Sequence, residues 1–192
     1  IRSANEIHIP VGRRIQVFLE SRDVIHSFWV PNLQAKIDMV PGQRNVTWLQ
    51  ADRPGVYRGQ CAEFCGMQHA HMAFILVAHP EEEWEAWLAR EREPAPVPVD
   101  SVLRYGRQVM ETTACALCHN IRGTRARGTT GPDLTHIGSR RTLAAGMLAN
   151  NRGNLSGWIA NPQVLKRGSL MPRVDLGPHE LHALVLYLES LR

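Results

Sequence analysis

Two thiols, two imidazoles and two thioethers lie within the twelve residues Cys61-Ala-Glu-Phe-Cys-Gly-Met-Gln-His-Ala-His-Met72. Such a cluster can hold a soft metal, run a thiol–disulfide switch or pack as sulfur-rich core. Zinc takes Cys and His but rarely recruits a thioether. An iron–sulfur cluster asks for four thiolates, or for two cysteines with two histidines on one iron. Thiolate, imidazole and a weak thioether together are the ligand set of copper. A mononuclear copper loop runs Cys, His, Met with another His upstream. Cys65, His69 and Met72 reproduce that loop, and His26 in Asp23-Val-Ile-His-Ser-Phe-Trp29 is a suitable upstream histidine. Cys61 is then one thiolate too many. Two coppers bridged by both sulfurs accommodate it, with one imidazole on each metal, Met72 axial to one copper and a backbone carbonyl axial to the other. Met67 and His71 do not fall on ligand positions and are expected to pack or face solvent.

The second cysteine pair is Cys115-Ala-Leu-Cys-His119, the pattern of covalent haem attachment. Two thiols on one turn can add to the two haem vinyl groups, and the next residue places an imidazole beneath the iron. A zinc site would need two further ligands, and only histidines remain in this part of the chain. A redox dithiol would want a strand-to-helix setting that is absent. The sixth ligand is expected to be Met171, which hangs between Pro172 and the loop Lys166-Arg-Gly-Ser; a Met/His pair gives an electron-transfer haem of raised potential. Met147 sits in a run of small and apolar residues and is expected to pack in the core.

The elements that must position these groups divide in two. Residues 7–77 carry short β-branched or aromatic runs (Glu6–Pro10, Ile15–Leu19, Phe28–Val30, Val46–Leu49) separated by the turn signals Pro31-Asn32, Pro41-Gly42 and Pro54-Gly55. That pattern predicts an antiparallel sandwich or barrel. A helix follows from Pro80, with acids in its first turn and Trp84, Trp87 and Leu88 on the face packed against the sheet. Pro94-Ala-Pro-Val-Pro98 reads as an extended spacer. Beyond it the chain predicts helices over 102–110, 141–149 and 155–159, and a C-terminal helix from about Pro178 with an apolar stripe at Leu181, Leu184, Val185 and Leu188. The domains are expected at 1–93 and 100–192, joined by a Pro-rich linker at 94–99. The five further histidines His8, His79, His136, His179 and His182 show no partner spacing and are expected at the surface or as caps.

Bulk properties narrow the classes further. The 192 residues suit two small domains, and 44% hydrophobic with 21% charged residues is the balance of a folded chain. The net charge of +4 comes from scattered arginines rather than a stripe, which gives no nucleic-acid partner. The longest apolar run, Met72–Ala78, is of strand length and too short to span a bilayer. No signal peptide is present and the chain opens on Ile1, as a processed or truncated chain would.

The motifs resemble known families. Gly131-Pro-Asp-Leu134 is similar to the Gly-Pro-x-Leu loop of class I cytochromes c, which implies that the Pro132 carbonyl accepts the His119 N–H; Gly106 and Tyr187 resemble that family's crossing of first and last helices. Cys-x-Glu-x-Cys-x3-His-x2-Met, with Val-Ile-His-Ser-Phe-Trp-Val-Pro, Lys-Ile-Asp-Met-Val-Pro-Gly and Pro54-Gly-Val-Tyr-Arg-Gly-Gln60, resembles the Cu-A domain of cytochrome c oxidase subunit II. The resemblance implies a cupredoxin-like β sandwich, here lacking its first strands, followed by an all-α cytochrome c domain. It implies a binuclear copper (Cu-A) on His26, Cys61, the Glu63 carbonyl, Cys65, His69 and Met72, and a covalent haem c on Cys115, Cys118, His119 and Met171. Glu63 also resembles the residue that helps hold Mg²⁺ or Mn²⁺ at the subunit interface.

A Cu-A module fused to a haem c module resembles subunit II of caa3-type terminal oxidases, which implies electron entry from an external donor, transfer from haem to copper, and delivery to a catalytic subunit I that reduces oxygen. No catalytic residue is implied in this chain. The partners implied are subunit I, the other oxidase subunits and the donor, a cytochrome or quinol-oxidising complex. The place implied is the extracytoplasmic (periplasmic) side of a bacterial cell membrane, reached through family transmembrane helices absent from this chain. Arg167 stands where that family has proline, and the copper domain is expected to expose an edge or an apolar face. The other readings are a nitrous-oxide-reductase-like Cu-A carrier and a copper-binding carrier or sensor.

Overall fold

A computed structural model describes all residues, 1–192, which cluster into two units: Asn5–Arg90, and Glu91–Arg192 together with Ile1–Ala4. The first unit holds seven strands: β1 (Glu6–Pro10), β2 (Ile15–Leu19), β3 (His26–Trp29), β4 (Ile37–Met39), β5 (Asn45–Leu49), β6 (Gly55–Cys61) and β7 (Ala73–His79). Five of them form a sheet in the order β1-β7-β6-β3-β4, while β2 and β5 pair antiparallel as a second sheet. The core between them contains Ile9, Leu19, Phe28, Val30, Leu49, Ala51, Leu76 and Ala78. Each large apolar side chain buried there contributes about 1.5–3 kcal/mol.

This is the expected sandwich with one difference: β1 runs parallel to β7, Ile9 opposite Ala78. The composition of a strand does not report its direction, and a long excursion between two strands permits parallel pairing. The expected uncovered apolar face is on the two-stranded sheet. Phe18, Val46 and Trp48 are exposed there, with Phe18 opposite Val46 and the guanidinium groups of Arg44 and Arg14 over the Phe18 and Trp48 rings.

The helix α1 (Glu81–Arg92) follows β7, with Trp84 and Trp87 half-buried as expected. It shows that His8 and His79 are not lone surface groups. Neighbouring strands β1 and β7 bring their rings together, His8 Nδ1 to His79 Nε2 at 2.8 Å, and Trp87 stacks on His8 at 4.1 Å. Sequence spacing does not reveal this pair, because 71 residues separate the two.

The second unit contains α2 (Ser101–Thr112), α3 (Cys115–Cys118), α4 (Arg152–Ala160), α5 (Pro162–Leu165) and α6 (Pro178–Ser190). Asp100 caps α2 by accepting from the Val102 and Leu103 N–H groups, and Asn151 and Asn161 cap α4 and α5. α2 and α6 pack around Val109, Met110, Leu184, Val185, Tyr187 and Leu188. They touch at Gly106, where a Cβ would lie 2.1 Å from the Ala183 carbonyl oxygen; the crossing admits only glycine.

Two expectations change. Residues 141–149 are not a helix but a two-strand hairpin, β8 (Thr142–Leu143) and β9 (Leu148–Ala149), turning through Ala144 and Ala145 at positive φ. Good helix formers are overridden because tertiary hydrogen bonds hold the turn: Lys166 Nζ donates to the Ala144 carbonyl at 2.9 Å, and Asn150 Nδ2 to those of Ile137 and Arg140. Met147 is therefore half-buried in a hairpin. The Pro-rich segment, for its part, is anchored at one end. Ala95 is buried in the second unit's core and its N–H donates to the Arg122 carbonyl at 2.9 Å, which leaves Pro96, Val97 and Val99 as the exposed stretch before α2. His136, expected at the surface, is buried with Nε2 3.1 Å from the Glu93 carbonyl oxygen. No helix is long and apolar enough to cross a membrane.

Candidate functional site

In the first unit, β3 presents His26, the end of β6 presents Cys61, and the loop from Ala62 to Met72 carries the rest. The pairing of Phe28 with Cys61 across β3 and β6 brings His26 to the loop from 35 residues away. The Cys61 N–H donates to the Met72 carbonyl at 2.9 Å, and that of Ala62 to Ser27 at 3.0 Å, closing the loop on the sheet.

The donor atoms then follow one another. His26 Nδ1 is 3.8 Å from Cys61 Sγ, Cys61 Sγ 3.8 Å from Cys65 Sγ, and Cys65 Sγ 3.8 Å from His69 Nδ1 and 3.9 Å from Met72 Sδ. The Glu63 carbonyl oxygen lies 3.3 Å from Cys61 Sγ. Two ligands each 2.0–2.3 Å from one tetrahedral ion stand roughly 3.3–3.8 Å apart. Each successive pair therefore fits a shared metal, and two sulfurs flanked by an imidazole on either side fit two. The two thiols are free at this separation, with no disulfide between them. Phe64 and Met67 are exposed beside the loop, and His71 is exposed as expected.

The electrostatics suit cations. Burial disfavours the Cys61 thiolate, but hydrogen bonds from the backbone of Ser27 and Glu63 and from His26 and His69 outweigh it and bring its pKa to about 6. Cys65 goes the other way, to about 11, through burial and then the neighbouring Cys61. One thiolate forms readily and the second resists until a positive ion joins it. His26 gains a partner that sequence reading passed over: Asp23 Oδ1 lies 2.9 Å from its Nε2. That bond fixes the proton on Nε2 and leaves Nδ1, the atom facing Cys61, as the ligand. The signal was present, a carboxylate three residues before the histidine.

In the second unit, α3 is a single turn with Cys115 and Cys118 at its ends, and His119 caps it with its N–H donated to the Cys115 carbonyl at 3.0 Å. His119 Nδ1 lies 2.8 Å from the Pro132 carbonyl oxygen, the contact that the Gly-Pro-x-Leu resemblance implies. Two glycines make the cradle. A Cβ on Gly131 would meet the His119 ring at 2.8 Å, and one on Gly128 the Cys118 carbonyl carbon at 2.4 Å. Burial holds the His119 pKa below its ordinary value against the pull of Pro132, so the ring is neutral at pH 7, the form that ligates iron. Tyr187 Oη is buried and unpartnered, and burial raises its pKa to about 12. Leu117, Val164 and Leu170 are exposed apolar side chains of this unit, and Met171 is half-buried in the loop after α5. Cys115, Cys118 and His119 thus share one turn, and two thiols followed by a neutral, oriented imidazole fit a covalent haem.

Residues 1–79 match the family described as cytochrome C oxidase subunit II, periplasmic domain, and residues 103–192 match cytochrome c. The chain is 44% identical over 191 residues to cytochrome c oxidase subunit 2 of Alkalihalophilus pseudofirmus, covering 99% of this chain and 55% of that protein. It is 31% identical over 204 residues to cytochrome c oxidase subunit 2 of Bacillus sp. (strain PS3), covering 100% of this chain and 57% of that protein. The chain spans about half the length of these curated relatives. Among solved structures it is similar to the periplasmic domain of subunit II of cytochrome oxidase of Bradyrhizobium japonicum, with TM-score 0.43 and 38% identity over 45% of this chain and 62% of that one.

Proposed function

The chain belongs to the cytochrome c oxidase subunit II family, with a cytochrome c domain after its periplasmic domain, and from that premise we propose that it is the electron-transfer subunit of a haem-copper terminal oxidase. Bound copper and haem would supply one-electron transfer between an external donor and the catalytic subunit. The observation that carries the reading is twofold: the run of donors His26, Cys61, Cys65, His69 and Met72 within one unit, and the Cys115–His119 turn on Pro132 within the other.

The chain's own residues hold and orient. Cys61, Cys65, His26, His69, Met72 and the Glu63 carbonyl would hold the copper, with the two thiolates as its strong donors and the thioether and carbonyl as its weak ones. Asp23 holds the His26 tautomer. The Glu63 carboxylate is exposed, which leaves it for the Mg²⁺ or Mn²⁺ that the resemblance implies at the meeting with the catalytic subunit. Cys115 and Cys118 would hold the haem covalently, His119 and Met171 would ligate its iron, and the Pro132 carbonyl orients His119. The setting is the extracytoplasmic face of a bacterial membrane, with oxidase subunits as partners.

Copper analysis with electron paramagnetic resonance of the oxidised full chain tests this. Two coppers per chain, with hyperfine structure from one unpaired electron shared by two nuclei, are expected. Cys61→Ser should collapse both to a single copper with an ordinary mononuclear spectrum. A mononuclear spectrum in the unaltered chain would defeat the reading.

A further inference from the structure

One side chain ties down the loop that carries Met171. Gln163, in the single turn α5, spends its whole carboxamide there. Oε1 accepts from the Gly168 N–H at 3.1 Å, and Nε2 donates to the carbonyl oxygens of Ser169 at 2.7 Å and Met171 at 2.9 Å. The Met171 N–H goes to Ser169 Oγ at 3.2 Å, and the Ser169 N–H to the Lys166 carbonyl at 3.0 Å. Both backbone polar groups of Met171 are committed, its carbonyl to Gln163.

The clamp itself stands on a fixed base. Asn161 Oδ1 accepts from the Val164 N–H at 3.3 Å, and Pro162 at the first position of the turn is buried. At the start of the loop Lys166 Nζ also donates to the Ala144 carbonyl at 2.9 Å. Gly168 is at φ +85, and Leu170, 99% exposed, packs on nothing in the chain. Arg167 leaves φ unrestricted where a proline would lock it. With so few apolar contacts, hydrogen bonds set the loop's position.

We propose that Gln163 is the positioning residue of the haem's axial thioether: its carboxamide holds the Met171 backbone where the sulfur stays on the iron. The proposal rests on Met171 as the axial ligand. The chemistry selects this side chain, since the loop presents two acceptors and one donor together. A carboxamide answers both, whereas an ionised carboxylate only accepts.

The test uses the full chain carrying its haem, oxidised, with two readouts: the weak long-wavelength charge-transfer band of thioether-bound ferric haem, and titration with imidazole, which binds by displacing the sixth ligand. Gln163→Leu and the near-isosteric Gln163→Glu should both weaken the band. Imidazole should bind them about tenfold more tightly, the consequence of losing two donated hydrogen bonds. Gln163→Glu should regain part of the wild-type behaviour as pH falls through the carboxyl range near 4.3, because the protonated acid donates again. A purely structural role would lower the unfolding midpoint without tying imidazole affinity to that protonation. Band and affinity unchanged in both variants would overturn the clamp. Met171→Ala separates the two readings. If it abolishes the band while the Gln163 variants do not move, only the clamp fails; if it leaves the band intact, the ligand assignment beneath it fails.

Discussion

Gly131→Ala bears directly on how the protein sets the haem's potential. The added Cβ would stand 2.8 Å from Cε1, 2.9 Å from Nδ1 and 3.2 Å from Nε2 of His119. Carbon contacts settle at about 3.5–4.0 Å, so roughly 0.7 Å must come from the ring or from the loop. The two are joined by the hydrogen bond from His119 Nδ1–H to the Pro132 carbonyl, 2.8 Å long and one residue from the new methyl. Moving either stretches it. A net hydrogen bond is worth about 0.5–1.5 kcal/mol, and about 1.4 kcal/mol corresponds to 59 mV in a one-electron couple. The bond makes the imidazole a stronger donor to iron, which favours the oxidised state. Its loss should therefore raise the haem potential by roughly 20–60 mV. Redox titration of the full chain, followed at the visible haem bands with wild type alongside, measures this directly. A potential that stays in place or falls would refute the link from Gly131 through Pro132 to His119.

Asp23→Ala should free the His26 tautomer and weaken copper binding by about 10–100-fold, read by chelator competition, with haem content unaffected. Gly106→Ala places a Cβ 2.1 Å from the Ala183 carbonyl oxygen and 2.7 Å from Tyr187 Cβ, so α2 and α6 must part. Overpacking of about 1–3 kcal/mol should lower the second unit's melting midpoint by roughly 5–20 °C in calorimetry. Asp133 and Glu111 bear on acid stability. Burial disfavours both charges, but Thr135 and Asn120 around Asp133, and Arg107 and Arg125 around Glu111, outweigh it and hold both pKa values below the ordinary 3.8 and 4.5. The stabilisation is fully present above those ordinary values and is lost as pH falls through the lowered ones. Melting midpoints taken down the acid range should fall there, and Asp133→Asn should flatten the fall.

Most of both centres was legible along the chain because covalent neighbours supply them. Cys61, Cys65, His69 and Met72 sit on one loop, and Cys115, Cys118 and His119 on one turn, so ligand type and spacing point to the copper and haem roles proposed above. Gly106 was legible through its family pattern, and the close approach of α2 and α6 gives it a steric cause. The hairpin at 141–149 was not legible, because its alanines favour a helix locally and are overruled by Lys166 and Asn150 from elsewhere. The parallel pairing of β1 with β7, and the His8–His79 contact it creates, were hidden for the same reason: no local pattern records which distant strand lies alongside.

The sequence by itself determined which atoms are available: two thiols with imidazole and thioether in one loop, two thiols and an imidazole in one turn, the donor sets that the proposed copper and haem would use. Ligand type and short loop spacing are properties of the chain. Only the tertiary structure decided what those atoms become. It sets His26 beside Cys61 across paired strands, puts Asp23 on its far nitrogen, brings the Pro132 carbonyl to His119 over a glycine, and fastens the Met171 loop with Gln163. The reason is physical. A hydrogen bond or a ligand distance is fixed to a few tenths of an ångström, and between residues far apart in sequence only the packing of whole elements fixes it.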